Sequence, residues 1–337
     1  MTADPRSLAS DLTEAGLIDF IQRRLPPPPA WLRVPAGDDA AVVEPVRGTL
    51  EVLTTDTLVE SIHFDFSFCS PADVGVKAVA VNLSDLAAMG AEPRAALVSL
   101  SVPQRMTREA LEELIDALVS TATKYCLTVA GGNITSSPGP LVVTITATGS
   151  VRPRRALLRS GARPADAIYV SAAIGAAAAG LGMLREGRTP AGEDEAQCIG
   201  RYRAPVARVR LGLLLGRTRA ATACIDLSDG LADGARRVAE ASGAGVLLEA
   251  DAIPVHPAAR RYFSERGLDP VTAALAGGDD YELLFTSAPR RRGALAAAVR
   301  RSPGLAVTRI GVVTKEPDVR LRRDGRDEPL PEGFQHF

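Results

Sequence analysis

Five short acidic segments, each set among small or hydroxyl-bearing residues, are the parts of this chain best suited to chemistry. Carboxylates gathered in this way repel one another unless cations lie between them. Oxygen ligands without a Cys or His cluster favour magnesium over zinc. With a glycine-rich segment among them, they indicate a protein that handles magnesium and phosphate groups. The segments are Gly37-Asp38-Asp39, Thr54-Thr55-Asp56-Thr57, Asn82-Leu83-Ser84-Asp85, Asp226-Leu227-Ser228-Asp229-Gly230 and Gly277-Gly278-Asp279-Asp280, with the glycine-rich Gly131-Gly132-Asn133.

The first two acidic segments border predicted strands. Adjacent side chains of an extended chain point in opposite directions, so only one carboxylate of Asp38-Asp39 is expected to face a given metal. The alternative is an Asp pair that stabilises a turn. Thr54-Thr55-Asp56 follows the apolar run Leu50 to Leu53. We interpret it as a strand end that offers carboxylate and threonine oxygens to magnesium together.

The next two acidic segments involve helices. Asn82 and Asp85 are three residues apart on a predicted helix, which places them on one face; a salt bridge with Lys77 is the alternative for Asp85. Asp226 and Asp229 could share a cation, and Ser228 could contact phosphate at a helix N-terminus. The alternative is that Ser228 or Asp229 only caps that helix.

Each remaining motif, taken alone, is weaker evidence for a functional site. The glycines of Gly131-Gly132 would let backbone N–H groups approach phosphate oxygens, although many turns look alike. No GxxxxGK[ST] motif occurs, so the chain has no P-loop. His63 is the one histidine near a candidate cleft, and a structural role is its alternative. The absence of a nucleophile–base pair agrees with phosphoryl transfer, in which positioning and electrostatics dominate.

Composition excludes several classes of protein. A net charge of −1 gives no reason to expect nucleic-acid or membrane binding. The Arg-rich stretches, at 152–155, 290–292 and 320–326, are interpreted as solvated faces. Four scattered cysteines without a CxxC pair indicate free thiols in a reducing cytosol. No signal core or apolar run of about 18 residues occurs, which predicts a cytoplasmic protein.

The length of 337 residues favours two domains. A Pro/Arg linker near Val151-Arg152-Pro153 divides them, giving domains 1–150 and 151–337. Periodicity and capping residues predict helices over 10–25, 71–89, 107–125, 176–185, 231–241 and 295–301. Strands are predicted over 40–43, 50–54, 95–102, 127–130, 141–150, 167–171, 224–227, 246–249, 282–286 and 306–313. A surface loop is expected over 187–194.

Taken in order, these segments resemble the thiamine-monophosphate kinase family, which belongs to the aminoimidazole ribonucleotide synthetase superfamily. Any one segment is weak, but the ordered set is specific and spans nearly the whole chain. The matching segments are GDDAAVV (37–43), TTDTLVESIHF (54–64), VNLSDLAAMGAEP (81–93), GGNIT (131–135), RSGARPAD (159–166), IDLSDGLADG (225–234), GGDDYELLF (277–285) and GFQHF (333–337).

The resemblance implies an α/β (α+β) two-domain fold: an N-terminal sheet domain that binds ATP and magnesium and forms a barrel with its partner in a homodimer, and a C-terminal α/β domain. It implies transfer of the γ-phosphoryl group of ATP onto thiamine monophosphate. Carried over by position, the metal ligands are Asp39, Thr54, Thr55, Asp56, Asp85, Asn133, Asp226 and Asp229. ATP contacts are Tyr125, Gly132, Asn133, Arg159 and Ser228, and substrate contacts are His63 and Asp279.

The chain departs from the family pattern at three places. Asn133 stands where the family commonly has Asp, and so keeps an oxygen ligand but loses a charge. The segment 174–177 lacks an Asp that the family often has, and Pro331 replaces an aromatic residue, with Phe334 the nearest ring. Two alternatives remain: another ATP-dependent enzyme of the superfamily, resembling aminoimidazole ribonucleotide synthetase, or a catalytically silent nucleotide-binding protein.

Overall fold

The computed structural model describes residues 13–333 and forms two compact units. The first unit contains the chain up to Leu83 together with Pro93–Ser150. The second contains Ser84–Glu92 together with the chain from Val151 onward. Residues 10–12 of the first predicted helix, and the last four residues of the GFQHF segment, lie outside the described range.

The first unit is built on a four-stranded sheet of order β3-β6-β4-β5, in which β4 and β5 are parallel. Strands β3 and β5 are therefore its edges. A two-stranded pair, β1 with β2, lies beside it. The elements are α1 (Glu14–Gln22), β1 (Leu32–Val34), β2 (Val42–Val43), β3 (Leu50–Val59), α2 (Pro71–Ala88), β4 (Glu92–Pro103), α3 (Arg108–Lys124), β5 (Thr128–Ser137) and β6 (Val142–Val151); the last residues of α2 and the first of β4 belong to the second unit.

One face of this sheet is covered and the other is open. Alternate residues of β6, such as Val143 and Ile145, are buried, as is the apolar stripe of α3. The side chains on the opposite face are exposed or half-exposed. We call this surface the open face; it carries Leu53, Thr55, Thr57, Leu97, Asn133, Thr135, Thr144 and Thr146. The strands of this chain alone form no closed barrel within residues 13–333.

The second unit is built on a seven-stranded sheet of order β13-β12-β9-β11-β7-β10-β8. Neighbouring strands are antiparallel except for β12 with β9. Its largest apolar core joins small residues of α4 and α7 to the buried strands. The elements are β7 (Ala167–Ser171), α4 (Ala176–Arg185), α5 (Glu193–Arg203), α6 (Val209–Thr218), β8 (Ala223–Asp226), α7 (Leu231–Ser242), β9 (Gly245–Glu249), α8 (Pro257–Glu265), α9 (Pro270–Ala276), β10 (Leu283–Ser287), α10 (Arg292–Arg300), β11 (Val307–Thr314), β12 (Val319–Arg323) and β13 (Arg326–Pro329).

Capping residues explain several of the confirmed helix boundaries. The Thr107 hydroxyl accepts a hydrogen bond from the Ala110 backbone N–H (3.2 Å), and α3 begins at the next residue, as predicted. Helix α1 ends at Gln22, three residues before the predicted end at Leu25 and ahead of the four prolines at 26–29. Strand β7 and helix α4 have the predicted bounds. Helices α5, α6, α8 and α9 were missed, and α5 takes the last two residues of the predicted loop 187–194.

Two strands are longer than predicted, and this changes the setting of two motifs. Strand β3 continues to Val59, so Thr54-Thr55-Asp56 lies inside a strand and not at its end. Strand β5 continues to Ser137, so Gly131-Gly132-Asn133 is also in a strand and not in a turn. A β-carbon on Gly132 would stand 1.9 Å from the Val98 carbonyl oxygen of β4. Glycine is therefore required there by strand packing.

No helix among the described residues is both long enough and apolar enough to cross a membrane.

Candidate active site

The junction of β8 and α7 presents one buried and one half-buried carboxylate. Asp226 is the last residue of β8 and is only 7% exposed. Its Oδ2 accepts a hydrogen bond from the Ser84 hydroxyl (2.7 Å), itself fully buried. Asp229 is half-buried, with Oδ2 3.7 Å from the Arg237 guanidinium. The hydrogen bond from Ser84 thus fixes the orientation of the buried Asp226 carboxylate.

Neither Ser228 nor Asp229 caps the N-terminus of α7. Gly230 occupies the N-cap position with φ of +98° and makes no side-chain cap bond. A β-carbon on Gly230 would lie 2.7 Å from the Gly277 carbonyl oxygen, so this position needs glycine. The alternative that Ser228 or Asp229 serves as N-cap is therefore wrong, and Ser228 stays exposed beside the helix N-terminus.

A second loop, Gly277–Glu282, is paired with the first through its backbone. The Asp279 N–H donates to the Ser228 carbonyl (2.7 Å), and the Tyr281 N–H donates to the Leu227 carbonyl (2.9 Å). The Leu227 N–H donates in turn to the Glu282 carbonyl (2.9 Å). We call the segments 226–230 and 277–282 the paired loops. They place the predicted metal ligands Asp226 and Asp229 beside the predicted substrate contact Asp279.

The second of the paired loops has unusual backbone geometry. Asp279 and Tyr281 have φ values of +66° and +49°, in the left-handed region that non-glycine residues seldom adopt. The Tyr281 hydroxyl donates to Asp279 Oδ1 (3.1 Å). Such conformations persist only when the surroundings impose them.

Two buried carboxylates impose this geometry. Asp280 Oδ2 accepts from the Gly175 N–H (2.8 Å) at the N-terminus of α4. Glu282 accepts from the Ser171 hydroxyl (2.6 Å) and forms a two-point ion pair with Arg208, with Nε–Oε2 at 2.6 Å. The loop is therefore anchored on either side of Tyr281 by groups that are themselves buried.

Asp280 also forms its hydrogen bond with segment 174–177, in which this chain lacks the Asp that is common in the family. Segment 174–177 leads into α4, and Asp280 brings a carboxylate to its backbone from another loop. Burial raises the pKa of the Asp280 carboxyl to about 7, and neighbouring Glu282 and Asp279 add to the rise, while the hydrogen bond from Gly175 lowers it. Desolvation penalises the ionised form, which accounts for the direction.

Helix α2 carries its polar side chains in a buried setting. Asn82 Nδ2 donates to the Ala78 carbonyl (3.0 Å), while its Oδ1 is buried without a hydrogen-bond partner. Asp85 follows three residues later and is half-buried. Lys77 donates to the His63 carbonyl (3.1 Å). A buried amide oxygen without a partner is costly unless water or a cation satisfies it.

Arg159 lies away from the paired loops. Its carbonyl accepts from the Ser242 hydroxyl (3.3 Å) at the far end of α7. Because α7 has twelve residues, its two ends are about 18 Å apart. The backbone at Arg159 is therefore not beside Ser228, with which it was predicted to contact ATP.

In the first unit, alternation along β3 separates the predicted ligands. Thr55 lies on the open face, where its hydroxyl contacts the Thr146 hydroxyl (3.1 Å). Thr54 and Asp56 point to the other face and are half-buried. The expectation that these three side chains face one metal together is therefore corrected. Asn133 is on β5, at the opposite edge of the sheet, about 14 Å from β3 at the usual strand spacing.

The other predicted residues of the first unit lie around its periphery. Asp38 Oδ1 accepts from the Asp39 N–H (2.9 Å), which leaves the exposed Asp39 as the carboxylate free of that turn. His63 Nδ1 accepts from the Val59 N–H (3.1 Å), so the imidazole has a structural bond. Tyr125 is the C-cap residue of α3.

The donor atoms of the candidate site can be compared with the ligands that magnesium prefers. Asp85, Asp226 and Asp229 supply hard oxygens, and no sulfur ligand stands among them. Within residues 13–333, however, no three His, Cys, Asp or Glu side chains converge as a ready metal cluster. The donor set fits a magnesium ion that phosphate oxygens and water help to coordinate, rather than an all-protein cage.

Sequence reasoning missed the supporting residues. The sequence motifs assign no supporting role to Ser84, Asp280, Glu282 or Arg208. The partners of each are distant in sequence, so spacing alone could not reveal them. A charged residue inside an otherwise apolar run, as Glu282 is before Leu283, was the available signal.

Comparison with known proteins agrees with this two-unit architecture. Residues 37–151 match the AIR synthase related protein, N-terminal domain, and residues 163–324 match the AIR synthase related protein, C-terminal domain. The class of protein is therefore the AIR synthase related proteins, with the mixed α/β two-domain fold predicted from the sequence.

Individual relatives show which family of AIR synthase related proteins this chain belongs to. The thiamine-monophosphate kinase of Bacillus subtilis is 35% identical over 312 residues, 89% of this chain and 92% of that protein. The crystal structure of thiamine-monophosphate kinase from Stenotrophomonas maltophilia is 35% identical with a TM-score of 0.83, covering 94% of this chain and 98% of the other. AaThiL complexed with AMPPCP and TMP is 32% identical with a TM-score of 0.77, over 97% and 98%. The chain belongs to the thiamine-monophosphate kinase family.

The raised pKa of Asp280 predicts a pH-dependent stability. Between its ordinary pKa of 3.8 and about 7, the folded chain binds a proton that the unfolded chain releases. The stabilisation is complete below pH 4 and is lost as the pH rises through 7, with a slope of at most about 1.4 kcal/mol per pH unit. Asp280→Asn removes this titration. The free energy of unfolding of the unmodified protein, relative to that of Asp280→Asn, should fall between pH 5 and pH 8 in urea titrations. A difference that is constant with pH would contradict the assignment.

Proposed function

We propose that this chain transfers the γ-phosphoryl group of ATP to thiamine monophosphate and so forms thiamine diphosphate. The family membership supports this activity, and the relative bound to AMPPCP and TMP supports the two substrates. The observation of this structure that carries the proposal is the pairing of the two loops. It brings Asp226, Ser228, Asp229 and Asp279 together beside the N-terminus of α7, where the helix dipole favours phosphate.

We propose roles for the two groups of site residues. In the first domain, 1–150, magnesium ligands are Asp39, Thr54, Thr55, Asp56 and Asn133, with Thr55 serving a different ion from Thr54 and Asp56, and Tyr125 and Gly132 contact ATP. In the second domain, 151–337, Asp226 and Asp229 are magnesium ligands, Arg159 and Ser228 contact ATP, and Asp279 contacts the substrate. Asp85 on α2 completes the metal ligands, and His63 the substrate contacts. Bound magnesium would neutralise phosphate charge and orient the transferring group.

The chain's own residues would act by positioning. An oxygen of the thiamine monophosphate phosphate attacks the γ-phosphorus, a new P–O bond forms, and the bond from that phosphorus to the β-phosphate oxygen breaks to release ADP. The pKa of a phosphate acceptor leaves it largely ionised at neutral pH, so no side chain needs to remove its proton. Asp226 is kept in one orientation by Ser84, and Asp279 by the backbone bond to Ser228. Such preorganisation lowers the barrier without reorganisation at the moment of reaction.

We place this reaction in the cytoplasm. Within residues 13–333, Cys126, Cys198 and Cys224 form no disulfide, which fits a reducing compartment.

The substrate assignment is tested by product identification. The full chain is incubated with magnesium-ATP and, separately, thiamine monophosphate, thiamine, or formylglycinamidine ribonucleotide. We expect ADP and thiamine diphosphate, identified by mass, only with thiamine monophosphate, because thiamine lacks the acceptor phosphate and the ribonucleotide lacks the thiamine group. Turnover only with formylglycinamidine ribonucleotide would assign the chain to the purine branch. ATP binding without any turnover would make it a silent nucleotide-binding protein. Either result would overturn the proposal.

We further propose that the chain is a homodimer whose two first-unit sheets close into a barrel. The open face and the position of β3 and β5 as edge strands of the sheet among residues 13–333 support this arrangement. Leu53 and Leu97 on that face are 69% and 49% exposed, and uncovered apolar side chains beside unpaired strand edges favour association. A homodimer would also bury the open face around a two-fold axis.

Light scattering tests the dimer with a matched pair of variants. The unmodified protein should have twice the 35.3 kDa mass of the chain. Leu53→Glu should give monomers, because it puts a charge into the proposed interface. Leu268→Glu, at a leucine 51% exposed in the second unit, should leave the mass unchanged. A monomeric unmodified protein, or a dimeric Leu53→Glu variant, would contradict the barrel.

A further inference from the structure

Two Arg-rich stretches, 152–155 and 290–292, meet at one cavity of the second unit. From the sequence alone, both stretches are interpreted as solvated faces. The cavity has a volume of about 370 Å³ and is lined by Arg154, Arg155, Arg219 and Arg291, with small and apolar residues between them. Arg154 and Arg155 precede β7, Arg219 ends α6, and Arg291 precedes α10. Three separate segments of the chain therefore bring four arginine residues to the same depression.

Carboxylates do not neutralise this group of arginines. Elsewhere in the second unit arginines have acidic partners, as in Arg188–Glu195, Arg208–Glu282 and Arg261–Asp194. Over residues 13–333, none of the four cavity arginines forms an ion pair with Asp or Glu. Like charges gathered without a counterion are unfavourable, and an anion in the cavity would relieve the repulsion.

The two half-buried arginines are fixed in place by backbone carbonyls. Arg155 Nη1 donates to the Arg217 carbonyl (3.1 Å), and Arg291 Nη1 donates to the Ala221 carbonyl (2.6 Å). Each guanidinium carries five N–H donors, so one bond leaves most donors available. These bonds hold two rigid donor groups at the cavity before any ligand enters, which reduces the entropy cost of binding.

The two exposed arginines have costly backbone conformations. Arg154 and Arg219 have φ values of +61° and +54°, a region that favours glycine or asparagine and costs other residues about 1 kcal/mol or more. Arg219 takes this conformation as the C-cap residue of α6. The backbone at Arg154 and Arg219 favours glycine or asparagine, so a role for the charged guanidinium group at the cavity would account for arginine at both positions.

We propose that this arginine cavity binds an oligophosphate group, either free pyrophosphate or the phosphate tail of a nucleotide. The planar donor fork of arginine matches phosphate oxygens and forms charge-assisted bonds with them. Several guanidinium groups require several negative charges, which favours a di- or triphosphate over a single phosphate. None of the residues that line the cavity is among the proposed active-site residues, and binding there does not depend on the kinase activity.

Binding of inorganic pyrophosphate to the full chain tests the proposal. Calorimetry is done with EDTA present, so that magnesium-dependent binding at the active site does not contribute. The test variant is Arg154→Asn/Arg219→Asn, because asparagine suits left-handed backbone and should preserve the fold. Its Kd should rise about tenfold or more, the loss expected for a charged hydrogen bond. The control Arg260→Gln/Arg309→Gln removes two exposed arginines outside the cavity and should leave the Kd unchanged.

Residue-level mapping completes the test. Phenylglyoxal labelling, located by mass, should be slowed by pyrophosphate at Arg154 and Arg219 but not at Arg260. Equal protection by ADP would identify the nucleotide tail as a ligand, and protection by pyrophosphate alone would identify the free anion. Unchanged affinity in the cavity variant, an equal loss in the control variant, or protection spread over all exposed arginines would overturn the proposal. The thermal midpoint of each variant, read by circular dichroism, shows that it is folded.

Discussion

The backbone pairing of the segments 226–230 and 277–282 is the interaction on which the candidate active site depends. Three hydrogen bonds join the paired loops, and close contact at Gly230 leaves no room for a side chain. Because of this pairing, residues about fifty positions apart in sequence present their polar groups at one place. The N-terminus of α7 lies there with Gly230 as its cap, so the exposed Ser228 and the half-buried Asp229 have no capping role.

Buried carboxyl groups keep this arrangement in place. Asp280 bonds the start of α4, and Glu282 is enclosed by Arg208 and Ser171. Buried ion pairs are poor sources of net stability, but breaking one is strongly unfavourable. Such contacts therefore select one conformation of the loop more than they stabilise the fold. The left-handed backbone at Asp279 and Tyr281 is the cost of that selection.

Sequence reasoning was most successful where local rules decide. The Thr107 cap, the Pro/Gly boundaries of α2 and the alternating pattern of β6 follow from short-range chemistry, and the structure has those elements. The threonine run in β3 and the glycine run in β5 predict strand ends, but both strands continue beyond them. Their length depends instead on neighbouring strands, as the approach of Gly132 to Val98 demonstrates. The anchoring roles of Ser84, Asp280 and Glu282 required contacts across long sequence separations, which no local pattern encodes. The family resemblance, in contrast, identified the chain because it combined many weak motifs in order.

The central claim is that the buried carboxylate of Asp226 serves the reaction rather than the fold. The most direct measurement compares turnover of thiamine monophosphate by Asp226→Asn and Asp166→Asn. Asp166 is also buried in the second unit and also accepts a hydroxyl hydrogen bond, from Thr222 (2.7 Å). We predict that Asp226→Asn remains folded and loses turnover by roughly a hundredfold or more, the scale for removing one electrostatic group from a transition state, while Asp166→Asn loses stability and keeps its turnover. Equal turnover by both folded variants would contradict the account.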